Sequence, residues 1–192
     1  MSYDGIIFRQ SKRVILRPII EGDLPQITKW MNNPKVTKFL TGSYPLMEAE
    51  EREWFSNLPK RKPEHVVVAI VVGEKIIGTM GLHNINHRHR IATTGAVIGE
   101  EAYWGKGYGS EAKMLLLDYA FHVLNLRKIC SLVIAFNERS INYSLKCGYE
   151  EEARLREHVY YNGVYWDEVC LAVFYEKWKP LWDSFKVTHQ LP

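Results

Sequence analysis

The sequence predicts an α+β fold. Two hairpin signals, one in each half of the chain, and a helix apolar enough to lie buried against a sheet carry that expectation. The first hairpin is HVVVAIVV (His65 to Val72), the turn Gly73-Glu74-Lys75, and IIGTMGLH (Ile76 to His83). In the second, REHVYYNGVYWDEVCLAVF, Asn162-Gly163 separates two aromatic and β-branched runs, the strongest short hairpin signal in the chain. Between them, Met114, Leu117, Phe121 and Leu124 recur at helical spacing, while Leu115, Leu116, Tyr119 and Val123 make the other side apolar too. A helix from Ser110 onward therefore belongs in the interior.

The elements follow in order. VILRP, Val14 to Pro18, reads as a short strand. Asp23 before Leu24 and Pro25 reads as an N-cap, with proline in the first turn of a helix running to about Asn32. MEAEEREWFSNL, Met47 to Leu58, carries a second helix, with Ala49, Trp54, Phe55 and Leu58 as its apolar points and acids elsewhere. After the first hairpin come the loop NINHRHR and a third strand, Ile91 to Gly99. KICSLVIAF, Lys128 to Phe136, is nearly all apolar and β-branched, which suits a central strand covered on both faces. A helix from Glu138 to Lys146 ends at Cys147-Gly148, where the glycine suits a left-handed stop. Trp178, Pro180 and Trp182 are expected to pack the tail back on the body.

Length and composition bound the function. With 192 residues, no repeat, no low-complexity segment and no linker, the chain reads as a single domain over 1–192. It is 46% hydrophobic and 24% charged, enough apolar material for a core. The net charge of +3 is spread among acids rather than gathered in a stripe, so no nucleic-acid groove is signalled. Cys130, Cys147 and Cys170 are widely spaced, with no CxxC and no metal-ligand pattern, which reads as reduced thiols and no metal. Neither a signal-peptide core in MSYDGIIFRQSKR nor an apolar run near the ~20 residues of a membrane helix is present, so a cytoplasmic protein without a membrane partner is expected.

YWGKGYGSEA, Tyr103 to Ala112, lies between the third strand and the buried helix. The first N–H groups of a helix have no internal partner, and with the helix dipole they form a site for phosphate. Gly105, Gly107 and Gly109 would let the backbone wrap a pyrophosphate, and Lys106 could add charge at the rim. GKGYG fits neither a Walker loop nor the Rossmann fingerprint. On the turn alone, a phosphate cradle and a tight turn needing positive φ are equally supported.

WGKGYGSEA resembles the acyl-CoA pyrophosphate loop of the GNAT superfamily of N-acetyltransferases, usually written Q/R-x-x-G-x-G/A. NERSINYSLKCGYEEEA, Asn137 to Ala153, is similar to that family's second motif, N-x-x-A/S followed by a helix and G-F/Y. LRPIIEGDLPQITKWMNNP and YYNGVYWDE resemble the branch containing spermidine and ribosomal-protein N-terminal acetyltransferases. The match runs in the family's order over about residues 14 to 178. It implies a mixed, mostly antiparallel sheet of six to seven strands flanked by helices, splayed between the strands 91–99 and 128–136. Acetyl-CoA would enter that opening, with the backbone of Ala96, Val97 and Ile98 on the pantetheine. Trp104, Gly105, Lys106, Gly107, Tyr108, Gly109 and Ser110 would hold the pyrophosphate, and Asn137 and Ser140 would contact the cofactor from the other side. A homodimer is compatible with the resemblance.

Two positions depart from the pattern. Trp104 stands where many members have Gln or Arg, and Ser144 stands where many have the tyrosine that protonates the departing thiolate. Neighbouring Tyr143 is expected to point elsewhere, since adjacent helical residues are ~100° apart. Amide formation needs an uncharged amine, a stabilised oxyanion and a proton for the thiolate. Backbone N–H of Val97 or Ile98 could polarise the carbonyl. Candidate proton carriers are Glu157, Ser144 and His83, with Asp167 and His158 behind them; alternation puts Glu157 and His158 on opposite sides of their strand. The acids Glu48, Glu50, Glu51 and Glu53 read as a solvated helix face, or as a lure for a cationic acceptor. The acceptor stays open between a polyamine or other small amine, an amino sugar or aminoglycoside, and a protein N-terminus. A CoA-binding module without catalysis is the reading from another class.

Overall fold

The computed structural model describes residues 5–40, 44–61 and 63–189. Among these, eight strands form one sheet: β1 (Arg9–Gln10), β2 (Ile15–Pro18), β3 (Val66–Val72), β4 (Lys75–Asn86), β5 (Ile91–Ile98), β6 (Lys128–Ile134), β7 (Glu150–Tyr161) and β8 (Val164–Phe174). They pair in the order β1-β2-β3-β4-β5-β6-β8-β7, antiparallel everywhere except between β5 and β6. The mixed, mostly antiparallel sheet is thus as the family resemblance implies, with eight strands rather than six to seven, the two-residue β1 being an added edge strand. Six α-helices accompany it: α1 (Leu24–Met31), α2 (Pro34–Thr37), α3 (Glu48–Asn57), α4 (Tyr108–Asp118), α5 (Glu138–Lys146) and α6 (Tyr175–Thr188). None of the described helices is long and apolar enough to cross a membrane.

Alternation along β3 explains the layering. Val68 and Ile70 enter the larger core with Leu16, Met80 and Leu82 and with Met114 and Leu117 of α4. Their neighbours Ala69 and Val71 enter a smaller core with Ile19, Leu24, Ile27 and Trp30. Because both faces are covered, β3 reads as an unbroken apolar run rather than an alternating one. Helix α4 buries Met114, Leu115, Leu116 and Leu117, and each such side chain contributes roughly 1.5–3 kcal/mol when fully removed from water. It runs on into a π-helical turn, Tyr119–Val123, where Leu124 N–H reaches Tyr119 O. Trp178 of α6 packs on Phe121 and stacks on Trp182, so the tail folds back as expected, while Pro180 itself stays exposed.

Four local expectations need correction. Asp23 does not cap α1 with its side chain; it is buried, and both carboxylate oxygens take the Arg17 guanidinium, at 2.6 and 2.8 Å. A desolvated guanidinium binds a carboxylate more strongly than a neutral helix N–H does. In α3 the acid Glu51 is buried and Ala49 is exposed, so the acidic face is not wholly solvated. Strand β4 continues through Asn84 to Asn86, which shortens the loop after the first hairpin to 87–90. Finally, β6 is not covered on both faces throughout, since Leu132 is 54% exposed.

Two measurements test these energetics. Asp23→Ala is expected to lower the stability read from urea denaturation by about 3–5 kcal/mol, because it removes the carboxylate that balances the buried Arg17 charge. Burial raises the Glu51 pKa, so the folded state disfavours its charge. Glu51→Gln should therefore raise Tm at neutral pH, and the gain should vanish as pH falls below the ordinary carboxyl range, where both states hold the proton.

Candidate functional site

Strands β5 and β6 share only three residue pairs, Ile91 with Lys128, Ala92 with Ile129 and Thr93 with Cys130. Beyond them the strands part, while β5 stays paired with β4 to Ile98 and β6 with β8 to Ile134. Thr94 pins the vertex: its Oγ1 donates to Cys130 O at 3.1 Å and accepts from the Tyr149 hydroxyl at 3.1 Å. Leu132 is exposed because it lines the opening that this parting leaves.

The parting opens a cleft of about 440 Å³. One wall is β5 from Thr94 to Ile98, the other β6 from Ser131 to Ile134, with the 103–110 turn and one face of α5 closing the end. Gly105 and Gly107 both have positive φ, +73° and +83°, and Gly107 is the N-cap residue of α4. So the tight turn and the open helix N-terminus are the same structure, and the two readings of GKGYG do not compete. The helix end is held from behind. Buried Glu111 takes the Arg13 guanidinium at 2.7 Å and the Arg13 backbone N–H at 3.0 Å.

Trp104 closes the same end through its indole, whose Nε1–H donates to Ile98 O at 2.6 Å. That bond occupies a carbonyl of β5 that a bound chain would otherwise find free. The Arg139 guanidinium lies 4.1 Å over the Trp104 ring and lines the cleft, as does Lys146. Both cations were missed by motif reading, although 139, 143 and 146 share the spacing of one helical face. Lys106, expected at the rim, is exposed and outside the lining; its carbonyl accepts from Arg13 Nη1 at 3.2 Å.

The other expected cofactor residues, Ala96, Val97, Ile98, Trp104, Gly105, Gly107, Tyr108, Gly109, Ser110, Asn137 and Ser140, all line the cleft. Asn137 caps α5 through its side-chain oxygen, bonded to Ser140 N–H at 3.2 Å, which leaves its amide nitrogen for the cleft.

The proton carriers are distributed differently. Ser144 is fully buried, donating to Ser140 O and accepting from Lys113 Nζ, each at 2.9 Å. Its neighbour Tyr143 lines the cleft instead, so the sequence expectation for this pair is reversed. The cause is Lys113, fully buried on α4, with its ammonium 4.1 Å from the Tyr143 ring centroid and 4.4 Å from that of Tyr149. Glu157 is exposed and outside the lining, at a bulge where Arg156, Glu157 and His158 of β7 oppose Asp167 alone. Its φ of +50° breaks the alternation assumed for it and His158, and its N–H donates to Asp167 Oδ1 at 3.0 Å. The carboxylate that does line the cleft is buried Glu168, with His158 Nε2 at 3.8 Å. His83 is outside the lining but borders it at Gly95, where a Cβ would come 3.4 Å from its Nε2, and its Nδ1 is 3.4 Å from that of His65.

The chain is similar to known proteins. A family model described as acetyltransferase (GNAT) domain matches residues 13–150. Spermidine N(1)-acetyltransferase of Escherichia coli (strain K12) is 32% identical over 161 residues, 84% of this chain and 86% of that one. A Bacillus subtilis protein described provisionally as a ribosomal N-acetyltransferase is 31% identical over 104 residues, 54% and 56% of the two chains. Among solved structures, spermidine N-acetyltransferase of Vibrio cholerae in complex with CoA and spermine superposes with a TM-score of 0.81 at 26% identity, over 88% of this chain and 99% of that one. With the parted strands and the glycine turn in the family's order, and the family model spanning most of the chain, this protein belongs to the GNAT family of acetyltransferases.

Proposed function

We propose that this protein transfers the acetyl group of acetyl-CoA to a primary amine by direct attack within a ternary complex. The observation that carries the reading is the unpaired edge of β5 facing a cleft that ends at a glycine-flanked helix N-terminus. An extended pantetheine fits along such an edge, and a pyrophosphate fits where converging N–H groups and the helix dipole meet Arg139 and Lys146. A thioester supplies an acyl carbon open to attack and a good leaving group.

The cysteines support direct attack. Burial pushes the Cys147 thiol up to about 12, with Lys113 pulling the other way. Burial also raises Cys130 and Cys170, so the thiolate needed for an acetyl-enzyme is disfavoured at all three. The attacking amine must then be uncharged. For a lysine-like amine that costs ~4–5 kcal/mol at pH 7, and for an α-amine only ~1–1.5.

The spermidine acetyltransferase relatives favour a polyamine or another small amine as acceptor. Glu168, the carboxylate of the cleft, suits a cation. A separate observation favours a second reading. Phe39, shared with the main cleft, borders a compartment walled by Phe136, Tyr161 and Trp166, with Lys38 beside it. Aromatic walls and a lysine suit an amine on an apolar body, such as a protein N-terminus, better than a polycation.

Steady-state thiol release from acetyl-CoA across spermidine, an aminoglycoside and a peptide with a free α-amine decides between acceptors. CoA binding without turnover on any of them would replace the enzyme by a binding module. Gly109→Ala tests the phosphate site without backbone strain, because a Cβ there meets nothing closer than Ile98 Cγ1 at 3.8 Å. A raised acetyl-CoA KM with unchanged Tm is expected. Gly107→Val should raise KM and also lower stability by roughly 1–2 kcal/mol, since its φ is left-handed.

A further inference from the structure

We propose that His83 is the general base of this cleft and that His65 holds it in the tautomer the reaction needs. The inference rests on the acetyl-transfer reading above. Gly81 of β4 and Gly95 of β5 are register partners, and the His83 ring lies over both. A Cβ at Gly81 would come 2.7 Å from Val66 O and 2.9 Å from His83 Nε2, and one at Gly95 would come 3.4 Å from His83 Nε2. Two adjacent glycines thus clear a seat for one imidazole.

The seat is at the vertex of the cleft. Thr93 is the last residue of β5 paired with β6, and Gly95 is the next residue on the same face. Gly95 lines the cleft and is exposed, with no side chain between its backbone and the His83 Nε2 edge. An amine approaching a thioester held along β5 from this side would meet Nε2 directly or through one water.

At its other edge, His83 Nδ1 faces His65 Nδ1 at 3.4 Å, with ring centroids 5.7 Å apart. One proton serves that contact. Placed on His83 Nδ1 and donated to His65, it leaves Nε2 with its lone pair toward Gly95. The titratable and charged groups facing His83 are His65, just before β3, and Arg61, in the preceding 3₁₀ turn. Desolvation first, then these two neighbours, lowers the His83 pKa below its ordinary 6.5, so the ring is neutral at pH 7. The chemistry balances. The amine nitrogen forms the bond to the acyl carbon, the C–S bond breaks, and the nitrogen's proton passes to Nε2 and on to water, which protonates the thiolate.

The test uses His83→Gln, His83→Ala and His65→Gln, with calorimetric CoA binding and thiol release to the fastest amine of the panel above. His83→Gln is expected to bind CoA as the wild type does and to lose about 10²–10⁴-fold in kcat, the range for a positioned base. The acidic limb of its kcat/KM profile should disappear. Imidazole added to His83→Ala should restore rate, and His65→Gln should move the acidic limb of the wild-type profile upward. A wild-type profile in His83→Gln, or a loss in His83→Ala that imidazole does not relieve, overturns the inference alone. Wild-type protein that binds no CoA overturns the proposed function and this inference with it.

Discussion

The structure depends on the parting of two parallel strands after three residue pairs. A strand edge left open inside a protein exposes N–H and C=O groups that nothing in the chain satisfies, which is costly unless a ligand or solvent does so. The sheet tolerates it because each strand keeps its other partner: β5 stays with β4, and β6 with β8. Thr94, Cys130 O and Tyr149 close the vertex, so the opening is a wedge with a defined apex.

Helices α4 and α5 set the width of that wedge, and a buried lysine ties them together. Lys113 extends from α4 to the Ser144 hydroxyl and the rings of Tyr143 and Tyr149. The same contact turns Ser144 inward and leaves Tyr143 on the cleft side. At the far end, Glu111 joins α4 to the segment before β2 through Ser11 and Arg13, which anchors the helix N-terminus on which the glycine turn sits. A site for an extended ligand is thereby built from groups at positions 13, 94, 104, 111, 113 and 137, far apart in sequence.

Local signals were legible where local physics decides. Asn162 and Gly163, at φ +51° and +80°, make the turn their dipeptide predicts, and Gly148, at φ +88°, ends α5 as expected. The all-round apolar pattern of 110–124 marked a helix that is interior through Phe121, although Val123, expected on its apolar side, is 56% exposed. The glycine turn could be placed before the buried helix from chain order, whereas its part in the cleft and that of Asn137 came only from the family resemblance. Less legible were Arg17 with Asp23, where a distant partner overrode a capping signal, and Glu157, where a bulge cancelled the period of two.

The sequence by itself determined the element order, the hairpins, the buried helix and the glycine turn, because each depends on backbone preferences and on neighbours within a few residues. Tertiary structure alone decided which of Tyr143 and Ser144 meets the cleft, that Arg139 and Lys146 line it while Lys106 does not, and that His83 has the space over Gly81 and Gly95. Those outcomes follow from contacts between residues tens of positions apart, whose side-chain directions are set by packing and by buried charge rather than by local periodicity.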